Sequence, residues 1–231
     1  MLLRPWGVYS PQEDSYLLRD ALEQVSVPPG ARVLDVCTGT GLIAVTAARL
    51  GAGDVRAVDI SYRAVLTARC NAWLNRAAVR VRRADFRDHA PGERFDLITA
   101  NPPYVPCPER NVRRPRGGGS RDAGPDGRRY LDRLCAMAPL LLNETGVLLV
   151  VHSSVAEPLR TLRTLTAGGL TASVVARRAQ PFGPLLSARA AWMEDSGLID
   201  PGQRHEELVV IRGARAVQRV DAPDAPGSAT G

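Results

Sequence analysis

Apolar positions along the chain switch between two periods. Leu17, Leu18, Ala21, Leu22 and Val25 recur three and four residues apart, which places them on one face of a helix. Ser10-Pro11-Gln12-Glu13, just before them, has the composition of a helix start. Ser10 is the predicted N-cap, Pro11 the first helical residue and Glu13 the reciprocal capping partner. Pro28-Pro29-Gly30 ends that segment. From there on, short apolar runs alternate with helical ones. Strands are predicted at Val33–Val36, Val55–Ile60, Val79–Ala84, Phe95–Ala100, Val147–Val151, Thr171–Ala176 and Leu208–Ile211. Helices are predicted at Leu42–Leu50, from a Ser61 cap to about Asn75, at Tyr130–Leu142 and at Ala156–Leu165. The run Val147–Val151 is pure Val and Leu, as in strands covered on both faces. The alternation predicts an α/β fold: a doubly wound, mostly parallel, seven-stranded sheet of Rossmann-like type.

Two segments break this rhythm. Residues 106–129 are rich in Gly, Pro and Arg, and residues 181–206 form a long insertion before the last strand. Residues 214–231, mostly Ala, Pro, Gly and Asp, read as a disordered tail. The predicted organisation is a helical lead-in over 1–30, one domain over 31–213 and the tail.

Composition narrows the class. With 231 residues, 45% hydrophobic and 23% charged, the chain is long enough for a full core. Its longest apolar run is strand-sized, which argues against a membrane span, and MLLRPWGVYS lacks the apolar stretch of a signal peptide. A cytoplasmic location with reduced thiols is expected. Cys37, Cys70, Cys107 and Cys135 are as scattered as His89, His152 and His205, so no protein-held metal is predicted. The net charge of +6 would ordinarily suggest nucleic acid, but all 30 basic residues are Arg. That is the mark of a GC-rich coding bias, and it tempers the suggestion.

Candidate chemistry begins at the first strand, which runs into Asp35-Val36-Cys37-Thr38-Gly39-Thr40-Gly41. Glycines between a strand and a helix let backbone approach a ligand at the helix N-terminus. A dinucleotide fits, since Gly39-x-Gly41-x-x-Ala44 matches the loose fingerprint and Asp59 follows Gly39 by 20 residues. S-adenosylmethionine fits as well, with Asp35 leading an alternate series in which Cys37 stands where a first glycine is usual. A tight turn with no ligand is the plain alternative. Asp59, closing the second strand, could accept both ribose hydroxyls of either cofactor.

The fourth strand ends in Ala100-Asn101-Pro102-Pro103-Tyr104, at the strand edge where open sheets bind ligands. A carboxamide or exocyclic amine attacks poorly because its lone pair is delocalised. The Asn101 side-chain oxygen and the Pro102 carbonyl can accept its two N–H bonds and aim the nitrogen, with proline fixing the backbone between them. Tyr104 can stack on the planar group. Dinucleotide enzymes need no such pair of acceptors.

The tetrapeptide after such a turn resembles the N-methyltransferases that act on amide or exocyclic amino nitrogens. Together with Val8-Tyr9-Ser10-Pro11-Gln12-Glu13-Asp14-Ser15-Tyr16-Leu17-Leu18, it is similar to the short HemK-related methyltransferases. These are the eukaryotic and archaeal type that methylate the glutamine of the Gly-Gly-Gln loop in release factors. The likeness runs from Val8 to about Ser153, more weakly to Arg212, and includes Ala123-Gly124-Pro125-Asp126-Gly127-Arg128. It implies an S-adenosylmethionine-dependent methyltransferase fold in which Ser15, Asp35, Cys37, Gly39, Gly41, Asp59, Asp85, Phe86 and Asn101 surround the cofactor. Asn101, Pro102 and Tyr104 would carry the transfer to a release-factor-like protein, with a small zinc-binding activator as partner. About 30 residues precede the turn, too few for the helical docking domain of the bacterial enzymes. Two alternatives stand beside this reading. One is methylation of an exocyclic amine in nucleic acid, with Arg110, Arg113, Arg114, Arg116, Arg121, Arg128 and Arg129 holding phosphates. The other is a non-catalytic binding module whose pocket Cys37 has damaged.

Overall fold

The computed structural model describes residues 1–86, 88, 92–108 and 123–215. Seven strands and six helices follow in the order α1 (Glu13–Gln24), β1 (Arg32–Val36), α2 (Leu42–Arg49), β2 (Asp54–Asp59), α3 (Tyr62–Leu74), β3 (Val79–Arg83), β4 (Phe95–Ala100), α4 (Arg129–Leu141), β5 (Leu142–Ser153), α5 (Pro158–Ala167), β6 (Leu170–Pro181), α6 (Pro184–Asp195) and β7 (His205–Arg215). They form one sheet in the order β3-β2-β1-β4-β5-β7-β6. β1 pairs parallel to both β2 and β4, β2 to β3, and β4 to β5, while β7 runs antiparallel between β5 and β6. The sheet is therefore doubly wound and mixed. The winding reverses between β1 and β4, and that switch point opens a crevice at the carboxyl ends of the strands.

The central strands explain their own composition. Val33, Leu34, Ile98, Leu148, Leu149, Val150 and Leu208 through Ile211 are buried because helices cover both sheet faces. α1, α2 and α3 pack in succession, and α4 packs on α5. Ser61 caps α3, its side chain accepting from the Ala64 N–H at 3.4 Å.

Four expectations are corrected. α1 starts at Glu13 with Gln12 as N-cap and no side-chain cap bond. Ser10 and Pro11 stay outside because residues 4–12 run along the mouth of the crevice, and that tertiary placement overrides the local cap signal. β6 continues past Ala176 to Pro181, because an edge strand tolerates polar residues: Arg177 pairs with Glu207, and Arg178 with Glu13 and Asp20. The insertion over 181–206 carries the unforeseen helix α6, whose Leu186, Ala190 and Met193 close a second small core with Val155, Phe182 and Ile199. Ala214 and Arg215, placed in the tail by sequence, belong to β7, and the rest of the tail lies outside the described residues. Among those residues no helix is long and apolar enough to cross a membrane. His152 is a core residue, its ring bonded to the Thr161 hydroxyl and the Ser153 carbonyl, and burial holds its pKa down to about 4.

Candidate active site

One cleft of about 760 Å³ occupies the crevice. Into it the fold brings Ser15, Asp35, Cys37, Gly39, Asp59, Asp85, Phe86, Asn101, Pro102 and Tyr104 from five separate elements and their loops. Gly41 is not among its walls. Gly41 caps α2 with φ +81°, and a Cβ there would sit 3.0 Å from that of Ala68, so its glycine serves the packing of α2 on α3. At Gly39 (φ +53°) the nearest atoms to such a Cβ are carbonyl oxygens at 3.9 and 4.0 Å, which leaves open approach from the cleft.

The turn is held by carboxylates that bond inward. Asp35 is 2% exposed, and its two oxygens accept from the Thr38 hydroxyl at 2.5 Å and the Thr99 hydroxyl at 2.8 Å. The Ala44 N–H, in the first turn of α2, also donates to it. Burial pushes its pKa up to about 6 against these bonds. Asp35 thus stands in the cleft wall with both oxygens turned inward, tying β1, the turn, α2 and β4 together. Asp59 accepts from the Gly39 N–H at 3.0 Å and the Ser61 N–H at 2.8 Å, and burial raises its pKa too. Cys37 adopts φ +58°, the left-handed conformation that favours glycine. Burial, reinforced by Asp59 and Asp35, pushes its thiol pKa up, so it stays neutral. Asp85 and Phe86 stand on the same wall, Asp85 half-buried with its N–H donating to Asp88.

The opposite end is assembled from distant parts of the chain. The Asn101 amide nitrogen donates to the Ser15 hydroxyl at 3.2 Å, and that hydroxyl donates to Asp14 at 3.1 Å. The Asn101 Oδ1 atom therefore stands as an acceptor and takes no hydrogen bond among the described residues. Asp14 is 4% exposed and gathers four donors: the Tyr9 hydroxyl at 2.7 Å, the Tyr104 hydroxyl at 3.2 Å, and the Ser15 N–H and hydroxyl. Tyr104 is consequently pinned by its hydroxyl, and burial beside Asp14 lifts its pKa well above the usual phenol value. Glu206, 5% exposed, lines the same end. Its Oε1 accepts from the Gln180 amide at 2.8 Å, while Oε2 has no hydrogen-bond partner among the described residues. Burial and the nearby Asp14 raise its pKa, with Gln180 and Ser153 pulling the other way.

The loop after the motif is braced on both sides. Arg189 of α6 donates to the Val105 and Pro106 carbonyls at 3.4 and 2.6 Å. Gly127 (φ +74°) passes so close that a Cβ there would lie 2.2 Å from the Tyr104 carbonyl oxygen. Arg128, one of the arginines read as phosphate contacts, is 1% exposed and bonds Asp132, Thr161 and the Ala156 carbonyl. It anchors the loop base to α5 and is unavailable to a ligand. Arg110, Arg113, Arg114, Arg116 and Arg121 lie outside the described residues.

Asp14, Tyr9, Gln180 and Glu206 were not singled out from sequence, although a signal existed. Asp14 lies three and four residues before Leu17 and Leu18, on the apolar stripe of α1. Glu206 lies two before Leu208, on the buried side of β7. An acid inside a buried period is the trace such a site leaves.

Comparison with known proteins follows the same division. The methyltransferase small domain matches residues 3–112. A Methanocaldococcus jannaschii protein, provisionally named protein N5-glutamine methyltransferase, is 35% identical over 183 residues, covering 79% of this chain and 91% of its own length. The release factor glutamine methyltransferase of Chlorobaculum tepidum is 35% identical over 171 residues, and the match covers 65% of this chain and 57% of that relative, little more than half its length. Among solved structures, the Mtq2–Trm112 complex of E. cuniculi, responsible for methylation of the eRF1 translation termination factor, aligns with TM-score 0.61 and 22% identity over 91% of this chain and 99% of the matched one. The ribosomal protein L11 methylase of Lactobacillus delbrueckii subsp. bulgaricus aligns with TM-score 0.58 and 20% identity over 93% and 84%. These two likenesses are of fold.

Proposed function

This chain belongs to the small-domain methyltransferase family shared with the N5-glutamine methyltransferases, and from that premise we propose that it methylates the side-chain nitrogen of a glutamine in a release-factor-like protein, with S-adenosylmethionine as donor. The observation that carries the reading is the Ser15–Asn101 hydrogen bond. It commits the Asn101 amide nitrogen inward and leaves Oδ1, beside the Pro102 carbonyl, to accept from the substrate. A primary carboxamide has two N–H groups to give to that pair, and holding both in place aims its nitrogen. Positioning of this kind is worth several kcal/mol in a group transfer.

The turn end suits the donor. Asp59, the last residue of β2, and Asp85, just past β3, fit the ribose hydroxyls and adenine amine, with Phe86 against the base and open approach at Gly39. S-adenosylmethionine would supply a sulfonium methyl there. Cys37 lies in the wall in a glycine-like conformation and leaves the cleft open, which disfavours the binding-module reading. Asp14 and Glu206 make the acceptor end acidic, which suits a peptide better than a phosphate backbone. Such a substrate places the enzyme in the cytoplasm. The reading also includes a small activator subunit. Tyr62, Leu66 and Trp73, exposed at helical spacing on α3, offer it an apolar face.

The test is transfer of labelled methyl from S-adenosylmethionine to a matched cell extract, with Asn101→Ala as control. Label on a protein glutamine, absent with the variant, is the expected result. Label in RNA or DNA instead sinks the substrate assignment.

A further inference from the structure

We propose that Glu206 is a substrate-binding residue, whose free Oε2 accepts a hydrogen bond from a main-chain N–H of the peptide carrying the target glutamine. The inference rests on the glutamine reading above and adds a recognition residue to it.

A carboxylate oxygen buried without a donor is costly, and native proteins rarely keep one unless something arrives to satisfy it. Around Glu206 every other acidic demand is met from within. Asp14 holds four donors, and Oε1 of Glu206 holds the Gln180 amide. Only Oε2 is left. With no partner for Oε2 among the described residues, an occupant of the cleft that Glu206 lines is placed to supply the donor.

The chemistry of the occupant then follows. Both hydrogens of the reacting carboxamide are taken by Asn101 Oδ1 and the Pro102 carbonyl. A donor for Glu206 must sit elsewhere on the substrate. β7 lies two strands from β4, about 10 Å across the sheet. A glutamine side chain and the adjoining main chain can bridge that separation, and a peptide carries one N–H donor per residue there. Adenine or cytosine, once its exocyclic amine is used, presents only acceptors on its remaining ring edge. The groups facing Glu206 from α1, β5, β6 and the motif loop are Asp14, Ser153, Gln180 and Tyr104; none is cationic, and the Ser153 hydroxyl, though near enough to lower the pKa of Glu206, makes no hydrogen bond to Oε2.

The test measures binding of acetyl-Gly-Gly-Gln-Gly-amide, with S-adenosylhomocysteine present, to the wild type and to Glu206→Gln. In the variant the Gln180 amide still claims the oxygen of the new amide, so an NH2 faces the substrate donor. Peptide affinity should fall about 10- to 100-fold while S-adenosylhomocysteine affinity stays the same. Peptides N-methylated in turn at the glutamine and flanking glycine nitrogens provide a second measurement that needs no variant. One of them should lose a similar factor with wild type and nothing further with Glu206→Gln. Equal peptide affinity for both proteins, or uniform affinity of the wild type across the N-methylated series, overturns the role of Glu206 and leaves the glutamine reading standing. A wild type that binds none of the peptides and methylates nucleic acid overturns both.

Discussion

At the Gly-rich turn both oxygens of Asp35 and both of Asp59 already hold donors, whereas at the motif end Asn101 Oδ1 and Glu206 Oε2 have no partner among the described residues. The first end is a finished piece of backbone that a ligand meets as a preformed surface. The second is polar, buried and incomplete, although it sits on the same sheet edge. Its supporting bonds fill Asp14 but leave one oxygen each of Asn101 and Glu206 without a partner among the described residues. The difference locates where recognition is spent. On the proposed function, a common donor molecule would meet a self-satisfied scaffold, and the variable acceptor would meet groups that only the right substrate completes.

The sharpest way to break this contrast is Asn101→Ala. Loss of the open acceptor should lower turnover by about 100- to 1,000-fold, with S-adenosylmethionine affinity within a few-fold by titration calorimetry. Equal losses of turnover and cofactor affinity would mean that the two ends are one unit. Gly127→Ala comes next. A Cβ at 2.2 Å from the Tyr104 carbonyl must displace the motif loop, and misplacement of about 1 Å at a reacting centre costs about 100-fold in rate. Cofactor affinity should again persist.

At the other end the effects should appear in stability. Asp35→Asn puts an NH2 where the neutral carboxyl has a single O–H and should cost about 1–3 kcal/mol at acid pH, read by urea unfolding. The pH dependence has a definite sign. The folded pKa of Asp35, about 6, lies above its ordinary value of 3.8, so its stabilising contribution is full below about pH 4 and is lost as pH rises through about 6. That loss amounts to about 3 kcal/mol. The deficit of Asp35→Asn relative to wild type should therefore shrink between pH 4 and pH 7, and a constant difference would refute the buried, charge-poor setting. Smallest of all, Cys37→Gly relieves a left-handed non-glycine residue and should shift the unfolding free energy by no more than about 1 kcal/mol, with activity retained. A large activity change there would make Cys37 a contact rather than a wall.

Legibility follows the same line. The turn, Asp59 and the motif were readable because each lies on a few consecutive residues at a strand end, where strand, turn and helix signals are local. The α1 start was misread because Ser10 and Pro11 answer to the cleft mouth rather than to the helix. Gly41 looked like a cofactor glycine, yet its neighbour is Ala68, 27 residues away on another helix. Arg128 looked like a surface cation within a basic run, and its burial depends on α5 packing above it.

By itself the sequence determined the alternation of strands and helices, hence the doubly wound sheet, and the two strand-end motifs that the sheet must place on one edge. Hydrophobic period and turn chemistry act over a handful of residues, so they are written where they act. Only the tertiary structure decided which polar groups are spent inside and which are left for a ligand. Asp14 with Tyr104, and Glu206 with Gln180, meet across 90 and 26 residues. Whether a buried oxygen has a partner is a property of that meeting and of no local stretch of chain.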